Sequence, residues 1–142
     1  MKEIILVKYG EMVLKGLNKK SFEDMLTKNI KRRLKNLGQF KITSAQSTTY
    51  ITPVDENIDL DEVVDRVRKI FGIASLCRAC VCEKDFSDIT EKSLEYLNEV
   101  LSNAKTFKVN AKRSDKAFPM KSPEICTELG GILLEKFPNL TV

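Results

Sequence analysis

The chain has 142 residues, 24 Lys and Arg against 20 Asp and Glu, a net charge of +4, four cysteines and no histidine. Its 42% apolar and 31% charged residues describe an ordinary globular protein and exclude a disordered or fibrous one. No apolar run reaches the roughly 18 residues of a membrane span, and the opening MKEIILVK meets Lys8 too soon for a signal peptide, so a cytoplasmic protein is expected.

Residues 3–8, EIILVK, predict a short apolar strand. The loop YGEMVLKGLNKK follows, and Ser21 with Asp24 suggests the capping pair of a first helix. Phe22, Met25, Leu26, Ile30, Leu34 and Leu37 then recur at helical spacing until Gly38 stops them. Phe40 and Ile42 alternate as in a second strand, and Tyr50 and Ile51 mark a third that Pro53 ends. Asp59 and Glu62 form another capping pattern ahead of Leu60, Val63, Val64, Val67, Ile70 and Phe71, a second helix ended by Gly72. Residues 73–82 read as a fourth strand. The order β-α-β-β-α-β is that of a ferredoxin-like α+β domain, an antiparallel sheet with two helices on one face.

The second part starts with Asp88 and Glu91 as the cap of a helix carrying Ile89, Leu94, Leu97, Val100 and Leu101. Phe107, Val109 and Ala111 alternate as in a strand. Ser122 as N-cap and Pro123 at the first helical position open a last helix with Ile125, Leu129, Ile132 and Leu133 on one face. One strand between helices makes no stable sheet by itself, so an incomplete second domain lacking C-terminal strands is expected.

Cys77 and Cys80 resemble a zinc knuckle in spacing, but GIASLCRACVC has no turn residue after Gly72 and reads as a buried strand. Buried core thiols are therefore expected at Cys77, Cys80, Cys82 and Cys126, and no metal site. Charge is strongly segregated. Residues 8–35 hold nine Lys and Arg with three acids, whereas residues 54–65 hold six acids and no base. One basic face points first to nucleic acid.

The densest basic stretch is KTFKVNAKRSDKAFPMKS, residues 105–122, with six positive charges against Asp115. It leaves a strand and enters a helix N-terminus, where backbone N–H groups favour anions. Arg113 can grip a phosphate bidentately, and Lys112, Lys116 and Lys121 can act as point charges. Phe118 is a candidate for stacking on a base. The competing reading is a solvated loop with Phe118 turned into the core. Lys15, Lys19 and Lys20 form a second basic cluster before the first helix, and Lys28, Arg32 and Lys35 make a stripe along it.

YGEMVLKGLNKKSFE together with FKVNAKRSDKAFPMKSPEICTELGG resembles the tRNA 4-thiouridine synthetases, also called thiamine biosynthesis protein I or tRNA sulfurtransferases. The resemblance covers essentially the whole chain. It implies an N-terminal ferredoxin-like domain at 1–76 and a truncated THUMP domain at 77–142. It implies that Lys112, Arg113, Lys116, Lys121 and Ser122, with Lys15, Lys19 and Lys20, touch the acceptor stem and 3′-CCA end of tRNA. The family's chemistry is ATP-dependent sulfur transfer, with ATP and Mg held by an SGGxDS loop and a persulfide supplied through a cysteine desulfurase. Leu129-Gly130-Gly131 lacks the flanking residues of that loop, so no catalytic residue and no cofactor is expected here, and the chain alone should be inactive. The family also implies a homodimer, and no membrane partner is expected. Two alternatives remain: the THUMP part of a tRNA methyltransferase or deaminase, and a ferredoxin-like regulatory module binding a small anion.

Overall fold

The structure is a computed structural model that describes residues 2–9, 19–45, 48–70 and 73–142. It contains two compact units, Met1–Val81 and Cys82–Val142.

The first unit runs β1 (Glu3–Tyr9), α1 (Lys19–Leu34), β2 (Phe40–Ala45), β3 (Thr48–Pro53), α2 (Leu60–Val67) and β4 (Ile73–Cys80). The four strands form one sheet in the order β2-β3-β1-β4, with every neighbouring pair antiparallel. This is the α+β arrangement expected from the alternation of the two periods. Successive side chains of a strand face opposite ways, and the odd positions Ile5, Val7 and Tyr9 of β1 are buried with Ile51 of β3. Against them α1 lays Phe22, Leu26, Ile30 and Leu34, and α2 lays Val63 and Val67. Met25, counted on the apolar stripe of α1, is instead 46% exposed, because it lies beside the stripe rather than on it.

Side-chain bonds fix this packing at its margins. The Arg66 guanidinium donates to the Arg33 carbonyl at the end of α1 (3.0 Å) and to Glu62 (2.9 Å), joining α2 to α1. Arg78 of β4 donates to Glu3 of β1 and, at 2.6 Å, to Asp61 of α2. Tyr9 meets Phe22 edge-to-face, with centroids 4.9 Å apart. Gly38 follows α1 at φ 140°, where a side chain is strained and a Cβ would sit 3.0 Å from Ile58.

Three helix starts differ from the sequence reading, those of α1 and, in the second unit, of the helices Phe86–Tyr96 and Ser122–Lys136. Asp59 caps α2 as expected, accepting from the N–H groups of Asp61 and Glu62. Ser21, however, lies inside α1, which already includes Lys19. The cysteine reading also needs correcting. Cys77 is exposed, and Cys80, Cys82 and Cys126 are half-buried. β4 is an edge strand paired only with β1, and helices cover one face of the sheet, so an apolar run there does not imply burial. The expected boundary at residue 76 falls inside β4, whose pairing with β1 continues to Cys80. Among the described residues no cluster of three metal-ligating side chains occurs, and no helix is long and apolar enough to cross a membrane.

The second unit comprises α3 (Phe86–Tyr96), α4 (Asn98–Ser102) and α5 (Ser122–Lys136). Leu101, Leu129, Leu133, Phe137 and Leu140 form its core, flanked by Phe86, Ile89, Phe107 and Val109. Asp85, not Asp88, caps α3. Asp88 instead accepts from the Glu83 N–H (2.7 Å) and pairs with Lys92. Asn139 donates to the carbonyls of Leu101 and Ala104, both at 2.9 Å, and so closes the unit. The predicted strand around Phe107 is extended chain with alternating burial but pairs only through a single parallel bridge, Thr106 to Thr141. Alternation reflects the core beneath it, whereas a ladder requires a neighbouring strand along its length.

Candidate nucleic-acid interface

The extended segment delivers charge in an ordered way. Phe107 and Val109 point into the core of the second unit, which leaves Lys108 and Lys112 exposed on the other side. Val109 lies 3.9 Å from the position a Cβ would take on Gly130, so the segment packs close along α5. Gly130 and Gly131 are helical residues of α5. The Leu129-Gly130-Gly131 run is therefore not a phosphate-cradling loop.

Beyond Lys112 the chain turns back, and five bonds define the turn. The Arg113 N–H donates to Ser122 Oγ (3.1 Å), tying the entry of the loop to the start of α5. Arg113 Nη1 donates across the loop to the Phe118 carbonyl (3.2 Å). The Ala117 N–H donates to Asp115 Oδ1 (3.0 Å), and the Phe118 N–H to the Asp115 carbonyl (3.1 Å). At the exit the Lys121 N–H donates to Glu124 Oε1 (3.4 Å). The loop 113–121 is thus a small braced arch standing on the first turn of α5.

This geometry alters two expected roles. Ser122 is the first residue of α5, and Lys121 precedes it as N-cap with extended backbone. The Ser122 hydroxyl is engaged by the Arg113 N–H, a bond across the loop that a reading of nearest neighbours in sequence does not reveal. Arg113 is half-buried and spends one donor on the Phe118 carbonyl, so part of its role is to hold the arch. Phe118 is half-buried as well.

The electrostatics favour an anion. Asp115 is the one carboxylate of the arch, and its charge is already engaged. The Ala117 N–H first, then Lys84 at 3.1 Å and the nearby Arg113 charge, hold its carboxyl below the usual value of 3.8. Lys112, Lys116 and Lys121 are exposed and form no ion pair among the described residues. Three unneutralised ammonium groups therefore stand on or beside the arch, which ends at a helix start whose N–H groups and dipole add positive potential. Sequence reasoning missed Lys84, which lies 31 positions before its partner Asp115 and carries no local signal.

The other predicted cluster is described only in part. Lys15 lies outside the described residues. Lys19 is the first residue of α1, and Lys20 beside it is exposed. Lys28, Arg32 and Lys35 are all exposed, opposite the buried Leu26, Ile30 and Leu34, and Arg32 donates to Asn29 on its own helix (3.1 Å). These residues belong to the first unit, whereas the arch belongs to the second.

The fold and site define a two-part chain, a ferredoxin-like unit followed by a helical unit that carries a basic arch. The ThiI ferredoxin-like domain model matches residues 4–77, and the THUMP domain model matches residues 83–142. The chain belongs to the ThiI family. It is 46% identical over 144 residues to a probable tRNA sulfurtransferase of Acetivibrio thermocellus, covering 100% of this chain and 37% of that protein. It is 37% identical over 138 residues to a probable tRNA sulfurtransferase of Staphylococcus aureus (strain Newman), covering 97% of this chain and 33% of that protein. The chain thus spans about a third of the length of the curated relatives it matches. The crystal structure of a 4-thiouridine synthetase–RNA complex with bound ATP matches with a TM-score of 0.80 and 35% identity over 100% of this chain and 35% of that one. PH1313 from Pyrococcus horikoshii Ot3 shares the fold, with a TM-score of 0.77 at 23% identity.

Proposed function

We propose that this chain is the tRNA-gripping N-terminal portion of a tRNA sulfurtransferase that makes 4-thiouridine in tRNA. The observation that carries this reading is the pair of family matches in series, ThiI ferredoxin-like and then THUMP, with the arch of Lys112, Lys116 and Lys121 inside the second. The matching 4-thiouridine synthetase was crystallised with RNA, which supports the same partner here. In this reading Lys112, Lys116, Lys121 and Arg113 hold phosphates of the acceptor stem near the 3′-CCA end. Lys15, Lys19 and Lys20 touch the same RNA from the first unit, and Ser122 positions Arg113.

ATP and Mg belong to the sulfur-transfer step of the family, and in this reading that step lies outside the present residues. The Gly-Gly pair is helical, and no cluster of acids stands ready for a metal. The role of this chain is to present tRNA to that chemistry. A cysteine desulfurase as sulfur source, a homodimer, a cytoplasmic setting and a link to thiamine thiazole synthesis complete the proposal.

The test is tRNA binding by fluorescence anisotropy over a series of salt concentrations. Three to four phosphate contacts predict a log–log slope of about −2 to −4. Replacing Lys112, Lys116 and Lys121 together by Glu should abolish most of the affinity, while the same change at Lys28 and Arg32 should cost less. Equal loss in both variants would place the site elsewhere.

A further inference from the structure

The sheet of the first unit has a second face, and its chemistry differs from the helix-covered one. Strand register places Thr43, Tyr50, Leu6 and Cys77 in one row across all four strands. These positions alternate with the buried Ile5, Val7 and Ile51, so the row looks away from α1 and α2. Tyr50 and Leu6 are half-buried at its centre, and Cys77 is exposed at its edge. Ile4, paired with Ala79, extends the apolar surface by one row.

Charge on this face is of one sign. Lys8 pairs with Thr48, and Lys41 pairs with Thr52. Each therefore stands diagonally from Tyr50, about 7–8 Å away, on opposite sides of it. Both are exposed and form no ion pair among the described residues. No outward position of the four strands carries Asp or Glu. The carboxylate of Glu3 is turned to the other face, where Arg78 takes it.

An aromatic ring on a central strand, an apolar floor and flanking cations are what an unstacked nucleotide requires. The ring stacks a base, and the cations hold the phosphates on either side. We propose that the face of the β2-β3-β1-β4 sheet turned away from α1 and α2 binds a single-stranded RNA segment, with a base on Tyr50 and the neighbouring phosphates on Lys8 and Lys41. The proposal rests on the reading of the chain as a tRNA binder and adds a second contact surface to it. With one ring rather than several, the site discriminates single strand from duplex more than it discriminates sequence.

The experiment uses the 142-residue chain and two labelled RNAs: a single strand of about 8 nucleotides, within the span one such platform covers, and a closed hairpin with no unpaired end. Tyr50→Ala should weaken the single strand about 5- to 150-fold, the range of one lost stacking contact, and leave the hairpin unchanged. Tyr50→Phe should bind both as the unsubstituted chain does. Lys8→Glu with Lys41→Glu should weaken the single strand further without changing the fold by circular dichroism. In the unsubstituted chain, bound single strand should slow alkylation of Cys77 and leave Cys126 at its own rate. Wild-type binding of the single strand by Tyr50→Ala, or unprotected Cys77, overturns the site while leaving the tRNA reading intact. That reading is judged separately, by loss of the hairpin when Lys112, Lys116 and Lys121 are replaced. A change of oligomeric state in Tyr50→Ala without RNA also overturns the site, since the face would then be a contact between copies.

Discussion

Arg113→Ala is the perturbation that separates holding the arch from holding the RNA. The guanidinium donates to the Phe118 carbonyl at 3.2 Å, and the same residue's N–H, which the substitution keeps, donates to Ser122 Oγ at 3.1 Å. A hydrogen bond from a charged donor is worth about 1.5–3 kcal/mol at best, and Arg113 is half-buried, so a loss of about 1–2 kcal/mol is expected. For a unit of this size that corresponds to a fall in Tm of roughly 4–16 °C. Hydrogen exchange should show the amides of Ala117 and Phe118 opening first, because Arg113 closes the turn they form. tRNA affinity should drop several-fold, since the lysines of a loosened arch must be ordered on binding. Lys116→Ala is the contrast. Lys116 is exposed and unpaired among the described residues, so Tm should stay put while the salt slope falls by about 0.7–0.9. Arg113→Lys should restore charge but not the fork that reaches the Phe118 carbonyl, and should recover binding only in part. If Arg113→Ala melts and exchanges as the unsubstituted chain does, Arg113 does not brace the arch.

Four further outcomes follow from particular residues. Leu133→Ala, at 4% exposure in the second core, should cost about 2–5 kcal/mol and lower the melting of that unit in a thermal scan. Gly38→Ala should destabilise the first unit by about 1–2 kcal/mol in urea, because φ 140° is unsuited to a side chain and the new Cβ meets Ile58. The depressed carboxyl of Asp115 adds stability that is present above its unfolded value of 3.8 and is lost as pH falls through the lower folded value. An NMR titration of Lys84→Ala should move the Asp115 midpoint only part of the way back, since the Ala117 N–H is the larger cause. Maleimide should modify Cys77 before Cys126, and replacing all four cysteines by Ser should leave tRNA affinity within a few-fold.

The sequence by itself determined the order of elements in the first unit. The short apolar run EIILVK, the alternation of Phe40 and Ile42, and the helical spacing of Phe22, Leu26, Ile30 and Leu34 are patterns among near neighbours in sequence, and that makes them legible. The Asp59 cap was legible because its partners lie two and three residues on. The basic character of residues 105–121 and the outward alternation of Lys108 and Lys112 were legible for the same reason. Tertiary structure decided what depends on distant neighbours. Ser122 lost its capping role to the Arg113 N–H nine residues away, and Asp115 gained Lys84 from 31 residues away. Cys77 became exposed because strand order puts β4 at an edge, which no local pattern records. The run around Phe107 kept its alternation without a ladder, because a core lies beneath it and only Thr141 lies beside it. Tyr50, Leu6, Lys8 and Lys41 came together only when antiparallel register brought three strands side by side. Periodicity is written in adjacent residues, whereas register, edge position and cross-loop bonds are set by which segments fold against each other.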